Sequence, residues 1–476
     1  MHKTLTGKYS APVPRYTSYP TAPHFGTHIT NADYIQLLQA LGEGDKLSLY
    51  VHIPYCDRLC WFCACHTKHT LRYEPVADYL EALTREVEAV SKQVSCKALV
   101  KALHFGGGSP TLMTPHDIRR VGALFRSAFN FAPDAEISVE MDPNDMDEAR
   151  YDALADIGMT RASLGVQDFQ PEVQKAINRI QTFEQTKSVV DAVRARGVHS
   201  VNCDLLYGLP HQTLDTLAAT VRQILTLDPD RIALFGYAHV PWMKKHQTMI
   251  KEEVLPDVDQ RFDQSRMAAA MLIESGYQPI GIDHFAKPDD SMAVAAREGR
   301  LRRNFQGYTD DGAETLIGFG ASSIGQFRQG FVQNQTATGE YQRMTEAEGL
   351  TVVRGLAFSE EDRLRGYAHH VRLCRLVRGP EAALRASRRY GDCRSQAFRR
   401  AEHGWSRRNS RWCVPAQRNR APVCPHRGRA VRRLPRKWQG AALHRGVNAQ
   451  QLPGKSVISL SQAIGFCNRF AYSIAE

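Results

Sequence analysis

From about Asp45 to Val240 the chain alternates short apolar runs with amphipathic stretches, and this alternation restricts the fold more than any other feature. Runs at 48–53, 101–105, 136–141, 161–166, 201–209 and 231–237 read as strands. Between them, 75–90, 116–127, 147–157, 184–196 and 214–226 carry helical periodicity. In the first of these, Val76, Tyr79, Leu80, Leu83, Val87 and Val90 recur at three- and four-residue spacing, and Pro75 suits a first helical turn. Repeated βα units imply a parallel sheet with right-handed crossovers. A twisting sheet built from six such strands curls, so the expected fold is α/β, a partial or complete (β/α) barrel rather than a flat doubly wound sheet. Ligand chemistry in such folds gathers at the C-terminal ends of the strands.

Around this core the chain divides into four expected parts: an N-terminal arm at 1–40, the (β/α) core at 41–260, a barrel-completing and substrate-side region at 261–365, and a basic tail at 366–476. Residues 10–25 hold four prolines and three aromatic residues, which suit an extended arm. A strand is expected at 278–283, and 318–325 is rich in glycine. The 476 residues suffice for two or three domains. No apolar run approaches the ~18 residues of a membrane span, and the first residues lack the apolar stretch of a secretory signal. A cytoplasmic enzyme with its eleven cysteines reduced is therefore expected.

The net charge of +11 averages two unlike regions. Residues 366–476 carry 23 Lys and Arg against four acids, whereas 1–365 carry 38 basic and 46 acidic residues. The tail also holds three of the five tryptophans and has no sustained periodicity. That composition suits translation in a shifted frame of a GC-rich gene better than a nucleic-acid-binding arm, which is the alternative.

The densest chemistry is Cys56-Asp-Arg-Leu-Cys60-Trp-Phe-Cys63-Ala-Cys65, directly after the first strand. Four thiols on one loop can converge on a metal centre. Zinc sites usually draw two ligands from a distant segment, and no second cysteine pair occurs in the body, so an iron–sulfur centre is favoured over zinc. Spacing of i, i+4, i+7 leaves one iron of a cubane without a protein ligand. Tyr55, Trp61 and Phe62 can shield such a centre from water. The triplet in His104-Phe-Gly-Gly107-Gly108-Ser109 lets backbone groups approach a ligand that a Cβ would exclude. Glu140 and Asp204 at strand ends can accept hydrogen bonds from hydroxyl or ammonium groups, and Gln167 and Arg179 can bind a carboxylate. A lone carboxylate is usually a surface group or a helix cap, and a surface contact between neighbouring βα units explains Gln167 and Arg179 equally well.

The cysteine loop and glycine triplet resemble those of the radical S-adenosylmethionine (SAM) superfamily. The run YVHIPYC, the CxxxCxxCxC loop, HFGGGSPT, SVEMDPND, SLGVQDFQPEVQKAINR, DLLYGLPHQT, GIDHFAKPDD, RNFQGYTD and the early RYTSYPT narrow the resemblance, over residues 8–365, to the oxygen-independent coproporphyrinogen III oxidases. The resemblance implies a 4Fe-4S cluster held by Cys56, Cys60 and Cys63, and two SAM molecules. The first SAM would meet Tyr50, Gly107, Glu140 and Ile324; the second would meet Phe62, Gly108, Ser109, Gln167, Arg179, Asp204 and Ala238. Cys65 would stand near the site without binding the cluster. Related heme chaperones have the loop without this fourth cysteine. Ser109 and Trp61 stand where Thr and Tyr are usual.

In that family a reduced cluster cleaves SAM to a 5′-deoxyadenosyl radical, which takes hydrogen from a propionate β-carbon of coproporphyrinogen III. Loss of carbon dioxide and an electron leaves a vinyl group, and two such rounds give protoporphyrinogen IX in heme biosynthesis. The resemblance further implies a low-potential electron donor, an electron acceptor, no membrane span, no nucleic-acid partner and a monomer. Arg15, Arg179 and Arg303 are candidate cations for the anionic substrate. Alternative readings are a heme chaperone or a radical SAM methyltransferase on the same scaffold, and, in a different class, a zinc-containing nucleic-acid-binding protein.

If the tail is frameshifted, translating the coding DNA past codon 365 in its other two frames should reveal a regular domain. Finding none would restore the nucleic-acid arm.

Overall fold

The structure is a computed structural model that describes residues 18–375, so the expectations for Arg15 and for the tail beyond residue 375 lie outside the described residues. The chain enters through helix α1 (Asn31–Gln39), started by a capping box in which Thr30 and Asp33 bond reciprocally. The expected arm at 1–40 thus contains a regular element that the proline-rich stretch before it masks.

Strand β1 (Lys46–Ile53) shows the pattern that runs through the sheet: Leu47, Leu49, Val51 and Ile53 are buried, while Ser48, Tyr50 and His52 alternate onto the opposite face. Strands β2 (Leu99–Gly107), β3 (Phe131–Met141), β4 (Arg161–Gln167), β5 (Ser200–Tyr207) and β6 (Arg231–Gly236) follow in chain order, each parallel to its predecessor. The linking helices are α2 (Glu74–Ser91), α3 (Pro115–Ala128), α4 (Glu148–Asp156), α5 (Pro171–Ala176), α6 (Phe183–Ala195) and α7 (Leu214–Thr226). Because the strand order never reverses, right-handed crossovers lay these helices on one face of the sheet. The six apolar positions anticipated along α2 are all fully buried.

Beyond β6 the chain forms helix α8 (Val258–Glu274) and the antiparallel strands β7 (Gln278–Ile280) and β8 (His284–Ala286), with β8 paired to β6. The strand expected at 278–283 breaks at Gly281, whose φ is +61° and whose missing Cβ makes room for the Tyr308 ring. After helix α9 (Ser291–Glu298) the chain returns to the far side of β1. There β9 (Thr315–Phe319) pairs parallel with β1, and β10 (Ile324–Phe327), β11 (Gly330–Asn334) and β12 (Val352–Ala357) continue antiparallel. Helix α10 (Thr338–Glu348) separates β11 from β12. The order β12-β11-β10-β9-β1-β2-β3-β4-β5-β6-β8-β7 is linear, so the barrel is partial. Outside β12, Gly26 exchanges backbone hydrogen bonds of 2.8 and 2.9 Å with Gly355. Helix α11 (Glu360–Arg375) extends ten residues into the segment read as lacking periodicity. It starts from reciprocal bonds between Ser359 and Asp362, with three acids in its first turn. Among the described residues no helix is long and apolar enough to cross a membrane.

One buried carboxylate locks the returning strands to the core. Glu86 of α2 accepts hydrogen bonds from Gly320 N at 2.7 Å, Asn334 Nδ2 at 2.6 Å and Tyr341 Oη at 2.8 Å. Burial outweighs these donors and pushes its pKa up to about 7. A carboxyl raised on folding favours the folded state while protonated; that contribution is complete below the ordinary value of 4.5 and is lost as pH climbs through about 7. The urea midpoint of the wild type relative to Glu86→Gln should therefore fall across that window. Identical pH dependence of the two proteins would contradict this account.

Candidate cofactor site at the strand ends

The polar phase of the strand alternation converges at the C-terminal ends of β1 to β3. Tyr50 stacks on His104, its register partner on β2, with ring centroids 5.8 Å apart and planes 15° apart. His52 Nε2 lies 2.9 Å from the His66 carbonyl and so carries the proton, which leaves Nδ1 to accept from the Tyr50 hydroxyl at 2.9 Å. Burial lowers the His52 pKa to about 4, in keeping with that neutral tautomer. His104 bonds Ser138 through Nδ1 and Glu140 through Nε2 at 3.3 Å, and Glu140 also accepts from Gly107 N at 3.0 Å. Burial works to raise the Glu140 carboxyl, but His104 and the Gly107 N–H outweigh it and hold it below the usual value.

The glycine triplet is required by these neighbours. A Cβ on Gly106 would lie 2.9 Å from the Glu140 carboxyl, one on Gly107 2.7 Å from the His52 ring, and one on Gly108 2.5 Å from the Tyr55 carbonyl oxygen. Gly107 also has φ +113°. The turn is thereby pressed against the cysteine loop, where Gly108 N donates to Ile53 O and Ser109 N to Tyr55 O, both at 2.8 Å. The Ser109 hydroxyl donates to Asp145, just past the end of β3.

Two segments of the core grip the loop itself. From the α5 side, Trp61 N donates to Ile177 O at 2.9 Å, Asn178 Nδ2 donates to Leu59 O at 2.8 Å, and Arg179 Nη1 lies 3.8 Å from Cys60 Sγ. From beyond β6, Gln247 Nε2 donates to Phe62 O at 2.9 Å, His246 Nε2 to Cys63 O at 2.7 Å and Lys244 Nζ to Cys65 O at 3.1 Å. Trp61 and Phe62 pack on an apolar cluster that includes Val173, Ile177 and Tyr237. The thiols are not equivalent. Burial raises Cys56 and Cys60, opposed at Cys60 by Arg179, whereas hydrogen bonding from the Cys65 thiol and N–H brings Cys63 down to about 7. Cys65 is exposed.

A second group of expected residues lies toward β4 to β6. Gln167 ends β4 in a left-handed conformation, φ +68°. Asp204 stands opposite Gly165, accepts from Asn202 at 2.8 Å and is pushed up to about 6 by burial. Ala238 is half-buried next to Tyr237, which packs with Phe62. Ile324 belongs to the other group: its carbonyl lies against Gly318, the register partner of Tyr50. Arg179 departs from expectation. Its guanidinium is buried, donates to Asp142 at 3.0 Å and Gly165 O at 2.7 Å, and so has a protein carboxylate where a substrate carboxylate was expected.

Asp142, His52, His104, Asn178 and the clamp Lys244, His246 and Gln247 were not anticipated. The two histidines occupy the polar phase of their strands, a signal present in the alternation itself. The clamp acts from side chain to backbone and leaves no spacing to read.

Among the described residues no three His, Cys, Asp or Glu side chains converge as a single ion requires. The donor set fits a polynuclear iron–sulfur centre: three thiols on one clamped loop, a guanidinium beside Cys60, and aromatic cover from Trp61 and Phe62. If the packing of the triplet fixes this loop, Gly108→Ala should destabilise the protein by ~1–3 kcal/mol in urea unfolding. Gly42→Ala, with open space around its Cβ, should be nearly neutral. Equal behaviour of the two variants would refute the packing argument.

Residues 50–224 match the family model of the radical SAM superfamily. A relative from Cereibacter sphaeroides, named oxygen-independent coproporphyrinogen III oxidase, is 49% identical over 81% of this chain and 85% of its own. One of the same name from Paracoccus denitrificans is 50% identical over 77% and 82%. The solved structure of coproporphyrinogen III oxidase from Escherichia coli, described as a radical SAM enzyme, is 40% identical with a TM-score of 0.74, covering 76% of this chain and 83% of that one. At that identity and coverage, the chain belongs to the oxygen-independent coproporphyrinogen III oxidases of the radical SAM superfamily.

Proposed function

We propose that this protein carries out the anaerobic oxidative decarboxylation of coproporphyrinogen III to protoporphyrinogen IX in heme biosynthesis, using a 4Fe-4S cluster and SAM. The observation that carries the reading is a loop of three thiols clamped over the polar ends of parallel strands, in a chain that spans most of relatives bearing that name. When bound, the cluster and SAM supply the one-electron chemistry that generates an organic radical.

The protein's share is binding, orientation and exclusion of water. Cys56, Cys60 and Cys63 are the proposed cluster ligands. The 177–179 and 244–247 segments hold the loop backbone so that its carbonyls are satisfied without solvent. Glu140, fixed by His104 and Gly107, offers a carboxylate to the amine of a first SAM near Tyr50, Gly107 and Ile324. A second SAM is proposed against Phe62, Gly108, Gln167, Asp204 and Ala238, with Ser109 and Arg179 supporting that pocket through Asp145 and Asp142. Residues 41–260 carry the cluster and most of the SAM contacts in this reading, and 261–365 add Ile324 and complete the substrate side. A low-potential donor, a separate electron acceptor, a monomeric state and work in the cytoplasm belong to the same reading.

Each of Cys56→Ser, Cys60→Ser and Cys63→Ser should abolish the roughly 400 nm charge-transfer band of anaerobically reconstituted protein. Cys65→Ser should retain it, and loss in Cys65→Ser would overturn the ligand assignment. Incubating the full chain anaerobically with coproporphyrinogen III, dithionite and SAM tests the reaction itself through the appearance of vinyl product. If the basic composition of the tail replaces the family's regular C-terminal domain, turnover should be impaired while the cluster still forms; normal turnover would refute that expectation.

A further inference from the structure

Nine large apolar side chains are exposed among the described residues, and five of them border the cysteine loop: Leu71, Ile180, Trp242, Met243 and Met249. Trp242 is 71% exposed and Leu71 82%. Each belongs to a segment that is hydrogen-bonded to the loop backbone. Thr70 N, one residue before Leu71, donates to Cys56 O at 2.9 Å, and Asn178 Nδ2, two residues before Ile180, donates to Leu59 O. Trp242 and the two methionines flank Lys244, His246 and Gln247, which hold Cys65, Cys63 and Phe62. The thiol loop is thus bordered at its start, middle and end by apolar side chains that face water.

Charge follows the same border. The segments 68–72, 175–180 and 242–251 hold seven Lys and Arg and no acid, although residues 1–365 together carry 46 acids against 38 bases. Lys68, Arg72, Lys175, Lys245 and Lys251 are exposed and have no ion-pair partner among the described residues. Of the neighbouring acids, Asp57 pairs with Arg58 at 3.3 Å, and Glu172 and Glu252 face His211 and His239, both at 3.7 Å. Glu74 and Glu253 oppose the lysines where the segments end. Exposed Trp and Met set among unpaired cations have the composition of a protein contact. Room for a large organic ligand lies elsewhere: a cavity of about 760 Å³ is lined by Ser48 of β1 and Leu316 of β9, and by none of these side chains.

We propose that this rim is the docking surface for the electron donor, and that the donor is a small acidic protein carrying a low-potential one-electron centre, a flavin or an iron–sulfur cluster. The inference rests on the iron–sulfur reading and adds to it the place where the partner sits and the charge that it bears. A partner seated there meets the loop whose carbonyls the same segments hold. It gives up one electron, which the oxidised cluster takes up, and no covalent bond is made or broken. Opposite charges across the contact speed encounter, and the apolar side chains exclude water from its centre.

The test titrates the full chain at low salt with two acidic carriers, a flavodoxin and a plant-type 2Fe–2S ferredoxin, and times reduction of the anaerobically reconstituted cluster by each against dithionite. The carrier that binds and reduces identifies the centre. Lys245→Glu with Lys251→Glu should weaken carrier binding roughly tenfold and slow reduction by the carrier in proportion, with dithionite reduction unchanged. Wild-type binding should fall as salt rises from about 20 to about 300 mM. Binding of neither carrier, equal binding by variant and wild type, indifference to salt, or equal slowing with dithionite would each overturn the proposal. So would weaker coproporphyrin III binding by the variant with carrier binding unchanged, which would give the rim to the substrate. Should that variant fail to fold, Lys68→Glu with Lys175→Glu decides on the other two segments, with the same loss expected. A wild-type chain that assembles no cluster removes the iron–sulfur reading, whereas a cluster that dithionite reduces, with carriers indifferent to the variants, removes only the docking surface.

Discussion

Parallel strands laid down in an order that never reverses impose the constraint on which the rest depends. Right-handed crossovers then place every linking helix on one face, and the other face has no helix layer to bury it. The alternation along each strand follows from this: Leu47, Leu49, Val51 and Ile53 pack toward α2, while Ser48, Tyr50 and His52 line the inside. Polar groups placed there by period two must satisfy one another or a ligand. His104, Ser138 and Glu140 do so across β2 and β3, and Asn202 and Asp204 do so along β5.

The cysteine loop is an irregular segment held in a fixed shape. Leu59, Phe62, Cys63 and Cys65 each present a carbonyl to a side chain from another element. Orientation of the thiols is therefore decided by residues more than a hundred positions away in sequence. Such long-range donors restrict the loop without occupying the thiols, which remain available to ligate.

Much of the core was legible because local periodicity and burial agree there. The six expected strands and five expected helices all appear, with boundaries displaced by a few residues. What stayed hidden depends on pairing across long separations. Thr315–Phe319 is too short and glycine-flanked to announce that it returns to the free side of β1. Gly281 looks like part of a strand until the Tyr308 ring demands its space. In the candidate site, the proposed ligands Cys56, Cys60 and Cys63 stand out by their spacing, and the glycine triplet by its position. The role of Arg179 does not, because nothing in the sequence shows that Asp142 reaches it. The Lys244, His246 and Gln247 clamp was hidden for the same reason.

The bridge between Gly26 and Gly355 bears on how this molecule avoids sticking to others. An open sheet of twelve strands has two rims whose unpaired amides and carbonyls invite a foreign strand. Gly26 engages the rim of β12 from within the same chain. At the opposite rim β7 spans three residues and includes Pro279, which has no amide to donate. The curvature that opens the interior to a large ligand thus comes with both borders blunted against fibril-like growth.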